Sequence, residues 1–207
     1  MTVNVPIPDK APGDIFTESM WDLYLRDNIN KLLDRGHRTL TVAQFAALTG
    51  LEDGDEAYVE VDSANGLLWH LVFEASEATY KWRFLGGPPL WSEVTAAEST
   101  ASTTYVGLTT AGPTVALPKS GDYDVQHGYR ATTNTGDMRH SYDIGATAAV
   151  DADACFSQTE ESSLIRRRRK TGLGAVSLTS KYRVTSGTQA FADRFMAVTP
   201  VRIRHDA

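Results

Sequence analysis

The chain is 207 residues long, 42% hydrophobic and 9% aromatic, with a formal charge of −6. That length supports one large domain or two small ones with genuine cores. The charge is uneven: up to Thr95 there are 7 Lys/Arg against 15 Asp/Glu (net −8), and from Ala96 onward 13 against 11 (net +2), so neither half has the strongly basic balance of a dedicated nucleic-acid-binding domain.

The single cysteine, Cys155, excludes an intramolecular disulfide and a multi-cysteine zinc site. The N-terminus, MTVNVPIPDKAPGDIF, lacks the basic region and apolar run of a signal peptide. No apolar run approaches the roughly 20 residues that span a bilayer, so a soluble chain without a membrane partner is expected.

Residues 1–16 carry three prolines and no periodicity, and read as an extended arm. Over 17–36, Trp21, Leu25, Ile29 and Leu32 recur at helical spacing, early acids suit the helix dipole, and Gly36 supplies a stop. A second short helix is predicted in LTVAQFAALTG. Thr41 and Gln44 stand at capping-box spacing, Leu40 and Phe45 at hydrophobic-staple spacing, and Gly50 is the expected end.

The period then changes. EAYVEV, GLLWHLVFE and TYKWRFLGG read as a three-stranded meander split by turn-forming segments. Its expected core is Tyr58, Val59, Val61, Trp69, Val72, Phe73, Tyr80, Trp82 and Phe84. The stretch after it is rich in small and polar residues, which places a boundary near Ala96 to Thr100. The expected organisation is an arm (1–16), a helix-plus-meander attachment domain (17–95) and a β-sandwich domain (101–207).

In the C-terminal half, Tyr123, Val125, His127 and Tyr129 alternate with more polar residues, as do Met138, His140, Tyr142 and Ile144, and Val176, Leu178, Tyr182 and Val184. FADRFMAVTPVRIR closes the chain, with Pro200 expected at a bulge or edge. About seven or eight strands at roughly ten-residue spacing predict an antiparallel sandwich or jelly roll. The fold class is therefore mainly β with a small α+β N-terminal part.

No nucleophile elbow, Walker loop, Rossmann fingerprint or H-E-x-x-H motif is present. His127 and His140 sit on the inward faces of two strands as candidate neighbours, but a metal would need further ligands that the sequence does not identify. Asp151 and Asp153 offer two oxygen ligands, whereas calcium takes about 6–8. Glu160 and Glu161 are adjacent, so on a strand they point to opposite faces and cannot flank one glycosidic bond. No enzyme, metal or cofactor is expected.

SLIRRRRKTG, residues 163–172, is the most basic stretch. On a strand, Arg166 and Arg168 face one way and Arg167 and Arg169 the other, so the four do not form one phosphate-binding face. Such a run suits an edge strand, where positive charge blocks unwanted pairing, or a subunit interface where guanidinium forks meet carboxylates. No specific nucleic-acid partner is expected.

The helix MWDLYLRDNINKLL, the DG before the first strand, GLLWHLVF and YKWRFLGGPPL together resemble virion proteins of tailed bacteriophages. The resemblance is to minor tail or fibre-like proteins of phages infecting actinobacteria. GDYDV, GLGAVSLTSKYRVT and FADRFMAVTPVRI are similar to the β-sandwich that follows in those proteins, which in turn resembles trimeric jelly rolls of the tumour-necrosis-factor and C1q type. This resemblance implies a virion location, homotrimerisation and contact with other phage structural proteins through the N-terminal region, with Val3, Val5 and Ile7 in the attachment arm. A capsid decoration or head-fibre role is the alternative. Another is a module recognising a host glycan or surface protein through loops such as residues 131–137. The expected oligomer interface comprises Arg166, Arg167, Arg168, Arg169, Tyr105, Phe191 and Phe195.

Overall fold

The structure is a computed structural model that describes residues 39–133, 136–158 and 162–205. The arm with Val3, Val5 and Ile7, the helix expected over 17–36, and Glu160 and Glu161 lie outside the described residues.

β1 (Thr39–Thr41) leads into α1 (Val42–Ala46). The capping box forms as its spacing predicts: the Gln44 N–H donates to Thr41 Oγ1 at 3.2 Å and the Thr41 N–H to Gln44 Oε1 at 3.0 Å. Leu40 and Phe45 are both buried. The helix stops at Ala46, short of the expected Gly50, because the Ala47 N–H turns back onto the carbonyls of Gln44 and Phe45. Gly50 follows at φ 65°, a left-handed turn residue.

β2 (Glu56–Asp62), β3 (Leu67–Phe73) and β4 (Trp82–Gly86) form the expected antiparallel meander, with β1 added parallel to β2. Its buried face carries Ala57, Val59, Trp69, Leu71, Phe73 and Trp82. Trp82 stands edge-on to Phe45 at 5.0 Å and to Phe73 at 5.3 Å, so the short helix and the meander share one aromatic core. Tyr58 is not in that core. As the neighbour of Val59 it points to the other face, where it stacks on His70 at 4.4 Å.

Two strands appear in the stretch of small and polar residues beyond the three expected strands: β5 (Leu90–Val94) and, at the expected boundary, β6 (Glu98–Thr100). Both lie against the 15-residue β13 (Gln189–Ile203), whose backbone groups they pair. The remaining strands are β7 (Thr114–Ala116), β8 (Gly121–Thr133), β9 (Met138–Ile144), β10 (Cys155–Ser157), β11 (Ser163–Leu173) and β12 (Ser177–Val184).

One nine-stranded sheet runs β1-β2-β3-β4-β13-β8-β11, with β5 and β6 also on β13; a four-stranded sheet runs β10-β9-β12-β7. Between the two sheets lie the predicted inward sets: Tyr123, Val125, His127 and Tyr129 from β8, and Met138, His140 and Tyr142 from β9. Leu178, Tyr182 and Val184 from β12 complete them, and all are buried. Each fully buried aliphatic side chain such as Val125, Leu178 or Val198 contributes roughly 1.5–3 kcal/mol. The pairing of β13 with β8 shifts register after Ala190, after Ala192 and after Pro200, the last at the expected proline. At the second of these, Asp193 adopts φ 45°.

Candidate functional site: the outer face of the large sheet

β11 is the edge of the nine-stranded sheet and pairs with β8, with Ile165 opposite Gly128, Arg167 opposite Gln126 and Arg169 opposite Asp124. Gly128 in turn lies opposite Phe195 of β13, and β13 carries Trp91 of β5 opposite Ala197. Because paired residues share a face, Ile165, Arg167, Arg169, Asp124, Phe195 and Trp91 all stand on the outer side of this sheet. The apolar members are prominent: Ile165 is 62% exposed and Trp91 55%. The Trp91 and Phe195 rings stack at 5.2 Å and 11°.

Gly128 makes this strip possible. A Cβ there would stand 2.2 Å from the Leu164 carbonyl oxygen and 2.6 Å from the Phe195 ring, so the aromatic lies flat over bare backbone.

The alternation predicted for the arginine run holds. Arg167 donates to Asp124 Oδ2 at 2.6 Å, and Arg169 reaches both oxygens of the same carboxylate at 3.0 Å. Hydrogen bonds from Arg169, seconded by Arg167, hold the Asp124 carboxyl below its ordinary value, and Asp124 raises that of Arg169. Arg166 and Arg168 turn to the inner side. Arg166 donates to the carbonyls of Ala154 at 2.6 Å and Ala152 at 2.9 Å, and Arg168 stands 3.6 Å from the Asp153 carboxylate. Lys170 joins it on Asp153 at 2.5 Å.

The structure therefore divides the expected interface set. Arg167, Arg169 and Phe195 share the outer face. Arg166 and Arg168 clamp the 3-10 turn Asp151–Asp153 to the sheet instead. Phe191, expected at the oligomer interface, is fully buried against Tyr129 and Tyr182, so it has no exposed surface to offer a neighbour. The Tyr105 hydroxyl donates to Asp151 at 2.8 Å, and its ring lies under the Arg183 guanidinium at 5.4 Å. Trp91 escapes a reading of the sequence because it lies beyond the three predicted strands of the meander, in a stretch rich in small and polar residues.

The oxygen-ligand candidates are occupied by cations. Asp151 accepts from Arg139 at 2.7 Å and from both Nε and Nη2 of Arg183. Hydrogen bonding from Arg183 lowers its carboxyl below the usual range. His127 and His140 do meet between the sheets, and Cys155 joins them, a partner that strand alternation within one segment could not reveal.

Beside Trp91, a shallow groove of about 430 Å³ is lined by Asp62, Ser63, Leu90, Thr114 and Val115, among others. Residues 131–137, the expected recognition loop, include 134 and 135, which lie outside the described residues. No helix among the described residues is long and apolar enough to cross a membrane.

No family model matches the chain, and no curated protein matches it in sequence. Among solved structures it is similar to murine APRIL, at 11% identity and TM-score 0.36 over 53% of this chain and 98% of that one. It is similar also to the PRD1 vertex protein P5, at 14% identity and TM-score 0.35 over 57% of this chain and 100% of that one. A third is the N-terminal endo-1,4-β-D-xylanase 10B of Clostridium thermocellum complexed with xylohexaose, at 10% identity and TM-score 0.24 over 71% and 25%. Scores this low carry no argument about function; the mainly β, two-sheet architecture stands on the strands themselves.

Proposed function

We propose that this chain is a structural protein of a bacteriophage virion, a minor tail or fibre-like component that displays a β-sandwich and assembles as a homotrimer. The sequence resemblance supplies the class. The observation that carries the assembly is the outer strip of Ile165, Phe195 and Trp91, bordered by Arg167, Arg169 and Asp124. An exposed apolar band on a sheet, rimmed by charge, is the kind of surface that closed association covers.

No catalytic role is proposed. Asp151 and Asp153, weighed above as oxygen ligands, are bound by guanidinium or ammonium groups of the same chain, and Glu160 and Glu161 lie outside the described residues.

Light scattering on the full chain at tens of micromolar tests the assembly: a trimeric mass supports it, and a trimer unaffected by Trp91→Ser with Phe195→Ser refutes the strip as its interface. Labelled antibody on intact particles tests the location, where tail signal supports the proposal and head signal favours the decoration alternative. A second reading, glycan recognition, is favoured by exposed Trp91 beside the Asp62–Thr114 groove. Binding on a glycan array that Trp91→Ala abolishes, with the mass unchanged, would establish it.

A further inference from the structure

The interior between the two sheets holds three metal-binding side chains from three strands. His127 comes from β8 in the large sheet, while His140 and Cys155 come from β9 and β10 and face each other across that pairing. All three are buried, and one donor atom from each lies within 4.8 Å of the others.

We propose that His127, His140 and Cys155 bind a soft monovalent transition-metal cation, copper(I), in a three-coordinate site of two nitrogens and one sulfur that staples the two sheets together.

Two of the three separations are those of ligands around an ion, and the third lies within 4.8 Å. His127 Nδ1 is 3.4 Å from His140 Nδ1 and 3.8 Å from Cys155 Sγ. Metal–nitrogen bonds of about 2.05 Å and metal–sulfur bonds of about 2.3 Å in a trigonal plane would put the nitrogens about 3.5 Å apart and nitrogen and sulfur about 3.8 Å apart. A 3.4 Å nitrogen–nitrogen contact is, by contrast, long for a hydrogen bond.

The ring states fit. His127 Nε2 lies 2.9 Å from the Asp153 carbonyl, which only accepts, so Nε2 carries the proton and Nδ1 presents its lone pair to the cluster. Without an ion, that one lone pair faces both a thiol and a second imidazole. A coordinated cation displaces the Cys155 thiol proton to solvent and leaves a thiolate.

Charge selects the ion. The fully buried Arg194 guanidinium lies 5.5 Å over the Tyr182 ring, which itself stacks on His140 at 4.8 Å. A divalent ion with one thiolate would add net positive charge beside that cation. A monovalent ion with one thiolate is neutral, and of the metals that soft thiolate ligands select, copper(I) is the monovalent one. The supporting shell is fixed from β11: Arg166 holds the carbonyls of Ala152 and Ala154, and Lys170 holds the Asp153 side chain.

The test uses the full chain, anaerobic and reduced, titrated with chelator-buffered copper(I). Expected are one equivalent bound, an X-ray absorption shell of two nitrogens and one sulfur, and a thermal midpoint raised by about 5 °C or more at saturating ion. Cys155→Ser should weaken binding at least about 100-fold and remove the sulfur, whereas His70→Gln should change neither. If Cys155→Ser fails to fold, the wild-type absorption spectrum decides, since Cys155 is the only thiol. No binding, a shell without sulfur, or preferential uptake of zinc(II) overturns the proposal.

Discussion

Arg169 holds Asp124 with a two-pronged fork: Nε donates to Oδ1 and Nη2 to Oδ2, each at 3.0 Å. Both ends of this pair stand on the outer face, with Arg167 adding a third bond. Asp124→Asn keeps the shape and removes the charge that two exposed arginines share. It should cost about 1–2 kcal/mol at neutral pH. The folded-state carboxyl is held below its unfolded value. Its contribution is therefore fully present above the unfolded value and is lost as pH falls through the lowered one. Chemical denaturation should show wild type and variant converging by around pH 2. A gap that stays constant into acid would contradict the ion-pair account.

The same bonds make the arginine run a poor ligand for nucleic acid. Two of its charges are spent on Asp124 and two face the 3-10 turn. Fluorescence anisotropy with a short duplex should show weak binding at low salt and none at about 150 mM, as a few phosphate contacts give. Sequence-selective binding that survives salt would disprove this.

Calcium should leave the protein unchanged. Asp151 is engaged by Arg139, Arg183 and Tyr105, and Asp153 by Lys170. Displacing these bonds would expose guanidinium groups to a divalent ion. Adding calcium to about 1 mM, the weak end of protein sites, should move the thermal midpoint by less than about 1 °C. A larger rise would mean that the turn opens to bind it.

Gly128→Ala should be among the more damaging single-methyl additions. The new Cβ meets the Leu164 carbonyl on one side and the Phe195 ring on the other. Overpacking against backbone costs about 1–3 kcal/mol, and it should also tilt Phe195 off Trp91. Gly107→Ala meets nothing within 4 Å and should fall within about 0.5 kcal/mol of wild type. Equal effects in urea denaturation would remove Gly128 from its place under the strip.

Local chemistry is legible in the sequence where neighbours in the chain are also neighbours in space. The Thr41–Gln44 capping box forms because its two bonds join residues three apart. The inward sets of β8 and β9 follow from period-two alternation. β5 and β6 are not legible, because Ser92, Glu98 and Thr100 become strand residues through the edge that β13 offers. The joining of Cys155 to His127 and His140 needs three strands from two sheets, which no window of sequence contains. Phe191 and Phe195 are four apart on one strand, yet the irregularity at Asp193 lies between them and one faces inward, the other outward.

A ribosome making this chain must deliver Gln189 to Ile203 before the large sheet has a middle. β13 is the shared border of β4, β5 and β6 on one side and β8 on the other. Until it arrives, the meander and the sandwich halves present open edges, the state in which nascent β-chains meet chaperones, proteases and each other. Closure therefore waits for β13 and is cooperative, joining elements made more than a hundred residues apart in one step. Production yield, more than equilibrium stability, is the property that substitutions along β13 should govern first.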